Sequence, residues 1–128
     1  MRLVNAHVET AAGGPQRFLQ RREQFASIRE AAGSSPLALD AGDFNTPWHH
    51  PWLRDLVGRW SLSNPAGLAM SLTVPSILPL ARFDYVFGTG GIRFSDHRRL
   101  VYARQVLGHA GIFTVAHLPP PARRPEER

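Results

Sequence analysis

The sequence predicts an α/β protein on three observations. Apolar runs at residues 3–8 and 37–42 flank a stretch of helical periodicity, the strand–helix–strand order of a layered α/β fold. Three further strand-like segments follow in the C-terminal half, separated by glycine turns. The chain has 128 residues, 43% hydrophobic and 20% charged, enough for one hydrophobic core. That size and composition exclude both a large multidomain enzyme and a wholly disordered chain.

Each element can be justified in order. Leu3-Val4-Asn5-Ala6-His7-Val8 reads as a buried strand, and nothing before it has the form of a signal peptide. A chain that opens inside a core strand leads us to expect missing sequence upstream. After a loop at residues 10–14, Pro15 starts a helical pattern with Phe18, Leu19, Phe25, Ile28 and Ala32 on one side. Gly33 ends it as a C-cap ahead of Pro36. Leu37 to Gly42 form a second short strand, and Trp52, Leu53, Leu56, Val57 and Trp60 mark a second amphipathic helix. Residues 61–81 read as an irregular connection. Strands are expected at 82–87, at 92–106 (bent or interrupted) and at 111–118. Gly88, Gly90 and Gly91 make the first turn, and Gly108 and Gly111 bracket the second. Residues 1–118 form the domain, and the Pro/Arg-rich stretch 119–128 is expected to be a disordered tail.

Composition narrows the function classes. There is no cysteine, so disulfides, thiolate metal sites and cysteine nucleophiles are excluded, and a cytoplasmic protein fits. No apolar run approaches the roughly 20 residues of a membrane-spanning helix. The formal charge is +5, and all 15 basic residues are arginine. Guanidinium groups suit phosphate, but a GC-rich genome gives the same bias, and that plainer reading is favoured.

The stretch that carries chemistry is Ala41-Gly42-Asp43-Phe44-Asn45-Thr46-Pro47. An Asp and an Asn two apart at the end of a strand point to one side. The carboxylate can orient or deprotonate a water, and the amide can donate to a phosphoryl oxygen. On these residues alone, a polar strand-to-helix turn with a capping Asp or Asn is the simpler reading.

Further residues turn that balance. Asn5-Ala6-His7-Val8, the Arg21-Arg22-Glu23-Gln24 helix stretch, the G-D-F-N run at 42–45, Thr73-Val74-Pro75 and Arg82-Phe83-Asp84-Tyr85 occur in order. In this the chain resembles the endonuclease/exonuclease/phosphatase superfamily, with its DNase I-like fold. The resemblance implies part of a four-layer αββα sandwich, here mainly one mixed or antiparallel sheet with two helices. It implies a Mg²⁺-dependent (alternatively Mn²⁺-dependent) hydrolase of phosphate esters, attacking in line with water. Asp43 would orient or activate the water and Asn45 would stabilise phosphoryl charge, both being candidate metal contacts. His7 would contact phosphate or assist the leaving group, and Asp84 would orient a catalytic histidine.

Two histidines compete for that last role. Ser95-Asp96-His97 matches the family's closing S-D-H literally, but Asp96 follows Asp84 by only twelve residues. His109 follows Asp84 by 25 residues and leads directly into the last strand, although Gly108 replaces the family's aspartate. Strand order favours His109. Under the other alignment Asp96 and His97 form the site, with Asp96 a further metal contact. His49-His50 reads as a surface loop, since adjacent histidines do not face together.

The resemblance spans only the C-terminal half of the family's domain, and the Glu that binds Mg²⁺ has no counterpart here. Two functions from different classes follow: an incomplete metal-dependent phosphoesterase partnered by a missing N-terminal half, or a non-catalytic remnant that binds phosphate or nucleic acid. An Arg-rich nucleic-acid binder is a weaker third. Across the superfamily the substrates are nucleic acids, nucleotides, inositol phosphates and lipid headgroups.

Overall fold

The computed structural model describes residues 1–10, 14–33, 35–57, 61–62, 72–73, 81–100 and 108–121. Its elements are β1 (Arg2–His7), α1 (Pro15–Gly33), β2 (Ala38–Asp43), α2 (Pro51–Val57), β3 (Ser61–Leu62), β4 (Asp84–Gly88), β5 (Arg93–Leu100) and β6 (Gly111–His117). Four strands make a mixed sheet in the order β1-β2-β4-β3, and β5 and β6 make a separate antiparallel ribbon. The fold is therefore mixed α/β with two helices.

β1 and β2 run parallel, which two strands can do only with a crossover between them, here α1. β4 returns antiparallel to β2. The register places Ala6, Gly42 and Tyr85 in one row. Alternation then sends Ala6, Tyr85 and Phe87 to the helix side, where they join Val8, Phe25, Ile28, Phe44, Leu53 and Leu56 in the core. Phe44 and Phe87 meet edge-on with ring centroids 5.3 Å apart. Each fully buried apolar side chain of this kind contributes roughly 1.5–3 kcal/mol.

Gly42 is required where β2 lies close against β1. A Cβ there would lie 1.8 Å from the Ala6 carbonyl oxygen.

Three expectations need correction. β1 is not a buried strand: Leu3 is 68% exposed, and only Ala6 within the strand is buried. It is an outer strand of the sheet, with a neighbour on one side only among the described residues. On α1, Phe18 and Leu19 are both 54% exposed, and the buried stripe is Arg21, Phe25, Ile28 and Ala32. A guanidinium, Arg21, stands in the buried stripe, where the sequence pattern put no core residue. Gly88 belongs to β4 itself, paired with Leu39 and Ser61, rather than to the turn after it. Trp60, most of 61–81, residues 101–107 and the tail from 122 lie outside the described residues.

The ribbon contains an irregularity. Ser95 pairs with Val115 and Arg98 with Phe113, so Asp96 and His97 together oppose one residue in a β-bulge. Asp96 takes a positive φ of 51° there.

Candidate active site

Register builds most of the site. His7 lies opposite Asp43, and Asp43 opposite Asp84, so three neighbouring strands place these side chains in one row at the sheet's end. Residues in register across a sheet share a face. This row faces away from the α1 core, because it is one step out of phase with Ala6, Gly42 and Tyr85.

The fourth member arrives from the loop before β6. Ala110, 2% exposed, donates its N–H to the Thr73 carbonyl at 2.8 Å, and the Thr73 N–H donates to Ala81 at 2.8 Å. These bonds pin His109 beside the row. Its Nδ1 lies 2.8 Å from Asp84 Oδ2 and 3.5 Å from Asp43 Oδ2. His7 Nε2 is 3.9 Å from the same Asp43 oxygen, with its side chain 81% exposed. With Nδ1–H donating to Asp84, the tautomer is fixed and Nε2 becomes the outward nitrogen.

Asp43 is the group whose electrostatics stand out. Burial raises its pKa and the Asp84 charge adds to the rise, while the Asn45 amide, His109 and His7 pull the other way. Its Oδ1 accepts the Asn45 backbone N–H at 2.8 Å.

Asn45 does not sit as a continuing strand would place it. The strand ends at Asp43, and Asn45 adopts a left-handed φ of 44°, a conformation Asn tolerates better than most residues. Its Nδ2 donates to the Val8 carbonyl at 2.7 Å. One of its two side-chain N–H groups is thus spent inside the protein, and one is left for a ligand.

The structure brings His7, Asp43, Asn45, Asp84 and His109 together. Asp96 and His97 are in the bulge of β5. Asp96 is 3.9 Å from Arg98 across an exposed surface, and burial together with the Arg82 charge lowers the His97 pKa. His50 packs its ring on Trp52 with centroids 4.7 Å apart, and burial lowers its pKa.

Asp43, Asp84 and His109 each offer a ligand atom, all within 4.8 Å of one another. Carboxylate oxygens are the hard donors that Mg²⁺ and Mn²⁺ prefer, so the residues fit such an ion. A hollow of about 240 Å³ adjoins them, lined in part by Asn5, Asp43, Asp84, Ala110 and Ile112. The larger cleft, about 560 Å³, lies between β1 and α1 with His7 among its lining residues. No described helix is long and apolar enough to cross a membrane.

Sequence reasoning placed Arg21 in a matching helix stretch but gave it no part in the site, which it reaches from α1. The signal available was its position: it interrupts the apolar stripe at a spacing where only a paired guanidinium is tolerated inside.

No protein-family profile matches the sequence, and no curated protein matches it. Solved structures do. A conserved protein of unknown function from Enterococcus faecalis is 15% identical with a TM-score of 0.69, over 90% of this chain and 49% of that one. A mannosyl-6-phosphatase from Bacteroides thetaiotaomicron is 14% identical with a TM-score of 0.60, over 91% of this chain and 51% of that one. An endonuclease/exonuclease/phosphatase family protein from the same species is 17% identical with a TM-score of 0.51, over 89% of this chain and 48% of that one. The fold is DNase I-like, and the chain spans about half the length of the structures it matches.

Proposed function

We propose that this chain is the C-terminal portion of a metal-assisted hydrolase of phosphate esters, with residues 1–118 carrying one half of the site. The observation that supports this best is the convergence of Asp43, Asp84 and His109 within 4.8 Å from three distant points of the chain. The fold shared with a phosphatase is consistent with it.

In this reading Asp43 and Asp84 hold Mg²⁺ or Mn²⁺, which when bound draws charge from a phosphoryl oxygen. Asp43 orients the attacking water and accepts its proton. Asp84 fixes the His109 ring so that Nε2 faces the phosphoryl group. His109 is placed to stabilise the charge that develops there. The free N–H of Asn45 donates to another phosphoryl oxygen, and His7, at the rim, assists the leaving group. A further acidic ligand comes from the missing N-terminal half, so the isolated chain hydrolyses esters slowly. The substrate classes in view are nucleic acids, nucleotides, inositol phosphates and lipid headgroups.

The half-length match favours a second reading, a non-catalytic remnant that binds phosphate. Titration with Mn²⁺, followed by assay on a phosphodiester reporter, separates the two. The first reading expects saturable Mn²⁺ binding, weakened about 10- to 100-fold in Asp84→Asn. It also expects residual turnover abolished in Asp43→Ala. Binding of inorganic phosphate with no Mn²⁺ binding at all would establish the remnant.

A further inference from the structure

Arg21 and Gln24 stand one turn apart on α1 and reach the ends of two different strands. Arg21 is 5% exposed. Its guanidinium donates through Nη2 to Thr46 Oγ1 at 2.6 Å and to the Asn45 carbonyl at 3.2 Å. The same group lies 5.8 Å from the Trp52 ring centroid. Gln24 Oε1 accepts the Glu9 backbone N–H at 2.9 Å. The first pair of contacts holds the chain as it leaves β2, and the second holds it as it leaves β1.

Those two exits are also tied to each other. Val8 donates its N–H to the Asp43 carbonyl at 2.8 Å, and Asn45 Nδ2 donates to the Val8 carbonyl at 2.7 Å. The Asn45 N–H then reaches Asp43 Oδ1 at 2.8 Å. A left-handed Asn costs on the order of 1 kcal/mol and persists only where its surroundings hold it. Here the hold comes from one charged donor shared between the Asn45 carbonyl and the Thr46 hydroxyl, the latter at 2.6 Å. Burying a guanidinium costs several kcal/mol unless its donors are used. An apolar residue at position 21 would continue the Phe25 and Ile28 stripe without that cost.

We propose that Arg21 and Gln24 form a brace from one helical turn, and that Arg21 is the positioning residue that sets Asn45 and, through it, the Asp43 carboxylate. The inference rests on the phosphoesterase reading for the purpose of the site. The contacts themselves do not depend on it. Arg21 does not touch the reacting group; it fixes the backbone of the residues that do. Lysine would be a poorer substitute, because its ammonium is more strongly hydrated, costs more to bury, and lacks the planar group that faces the Trp52 ring.

The test compares Arg21→Met, Arg21→Lys and the control Ile28→Ala by NMR and Mn²⁺ titration of the full chain. Ile28 is buried in the same helix and belongs to the core, so its truncation reports lost packing alone. Arg21→Met should exchange the Asn45 amide proton about tenfold faster, as its bond to Asp43 loosens. It should also weaken Mn²⁺ binding about tenfold, with Arg21→Lys intermediate in both. Ile28→Ala should lower stability and leave both readouts in place. The proposal is overturned if Arg21→Met matches Ile28→Ala in both readouts, and Arg21→Lys carries the comparison if the methionine variant does not fold. If the wild type binds no Mn²⁺, the phosphoesterase reading fails, and the Asn45 exchange rates still decide the brace.

Discussion

The two ends of this chain's strand system carry similar residue types to different ends. At the carboxyl end of β2, Asp43 and Asn45 are held by Arg21, Val8 and His109, and Asp43 belongs to a row that spans three strands. In the β5–β6 ribbon, Ser95-Asp96-His97 lies along one strand. Its bulge turns Asp96 to a positive φ beside Arg98, and Ser95 meets His117 at 2.7 Å on an exposed surface. The lesson is that a three-residue match says little about which side chains share a point in space. Register across strands does that, and His109, preceded by a glycine instead of the matching aspartate, is the histidine that meets Asp84.

The contrast is sharpest for glycines. Gly42→Ala should be the most damaging single change considered, because its Cβ would overlap the backbone carbonyl of Ala6. Backbone cannot swing aside as a side chain can, so we expect a loss of more than about 4 kcal/mol and no cooperative unfolding transition at 37 °C. In the turn leading to the ribbon, Gly91 has φ 82° but meets nothing nearer than Pro119 Cβ at 4.0 Å. Gly91→Ala should cost only about 1 kcal/mol, the penalty of a left-handed alanine. Urea denaturation of both variants checks the difference, and equal losses would remove the distinction between a close approach of strands and an open turn.

Much of this was legible in the sequence, for identifiable reasons. Pro15 and Gly33 are the first and last residues of α1, and the strand expected at 82–87 is β4, shifted to Asp84–Gly88. The G-D-F-N run located the centre of the site. Two things were not legible. The exposure of β1 depends on its place in the strand order, which a local pattern of apolar residues does not encode. The role of Arg21 depends on Asn45 and Thr46, more than twenty positions away, whose turn brings the receiving oxygens to the helix. The order of strands also had to be weighed against the literal S-D-H, and no local signal announces a bulge.

A second comparison sets Asp40 against Asp43, three residues apart on β2 and on opposite faces. Asp43 has donors around it. Asp40 is fully buried on the helix side, and neither of its carboxyl oxygens makes a well-formed hydrogen bond among the described residues, the Ala41 amide being only a weak donor. Burial pushes its pKa up to about 7, with the Ala41 backbone amide acting in the opposite direction. The folded pKa thus lies above the value of 3.8 expected of the unfolded chain. Below about pH 4 both states hold the proton and nothing is lost. Between pH 4 and 7 the unfolded chain releases it first, so stability should fall by about 4 kcal/mol and then level off. Asp40→Asn keeps the shape and removes the charge. Its denaturation midpoint should stay nearly flat over that window and exceed the wild type's at pH 8; a wild-type midpoint independent of pH would show that Asp40 has found a donor.

The smallest effect is expected in the bulge, and it bears directly on the choice between the two histidines. Asp96 holds φ at 51°, a conformation that costs an aspartate less than a bulky residue but more than a glycine. Its carboxylate is 3.9 Å from Arg98, with both side chains more than half exposed, and such pairs contribute little. Asp96→Gly should therefore raise stability slightly, by about 0.5 kcal/mol, since relief of the backbone outweighs the lost ion pair. Mn²⁺ affinity should be unchanged on the proposed reading, in which Asp43 and Asp84 hold the ion. Thermal denaturation and Mn²⁺ titration read the two effects separately. A variant that keeps its stability but loses Mn²⁺ binding would move the site to the ribbon, and the literal motif would then outrank the register that joins Asp43, Asp84 and His109.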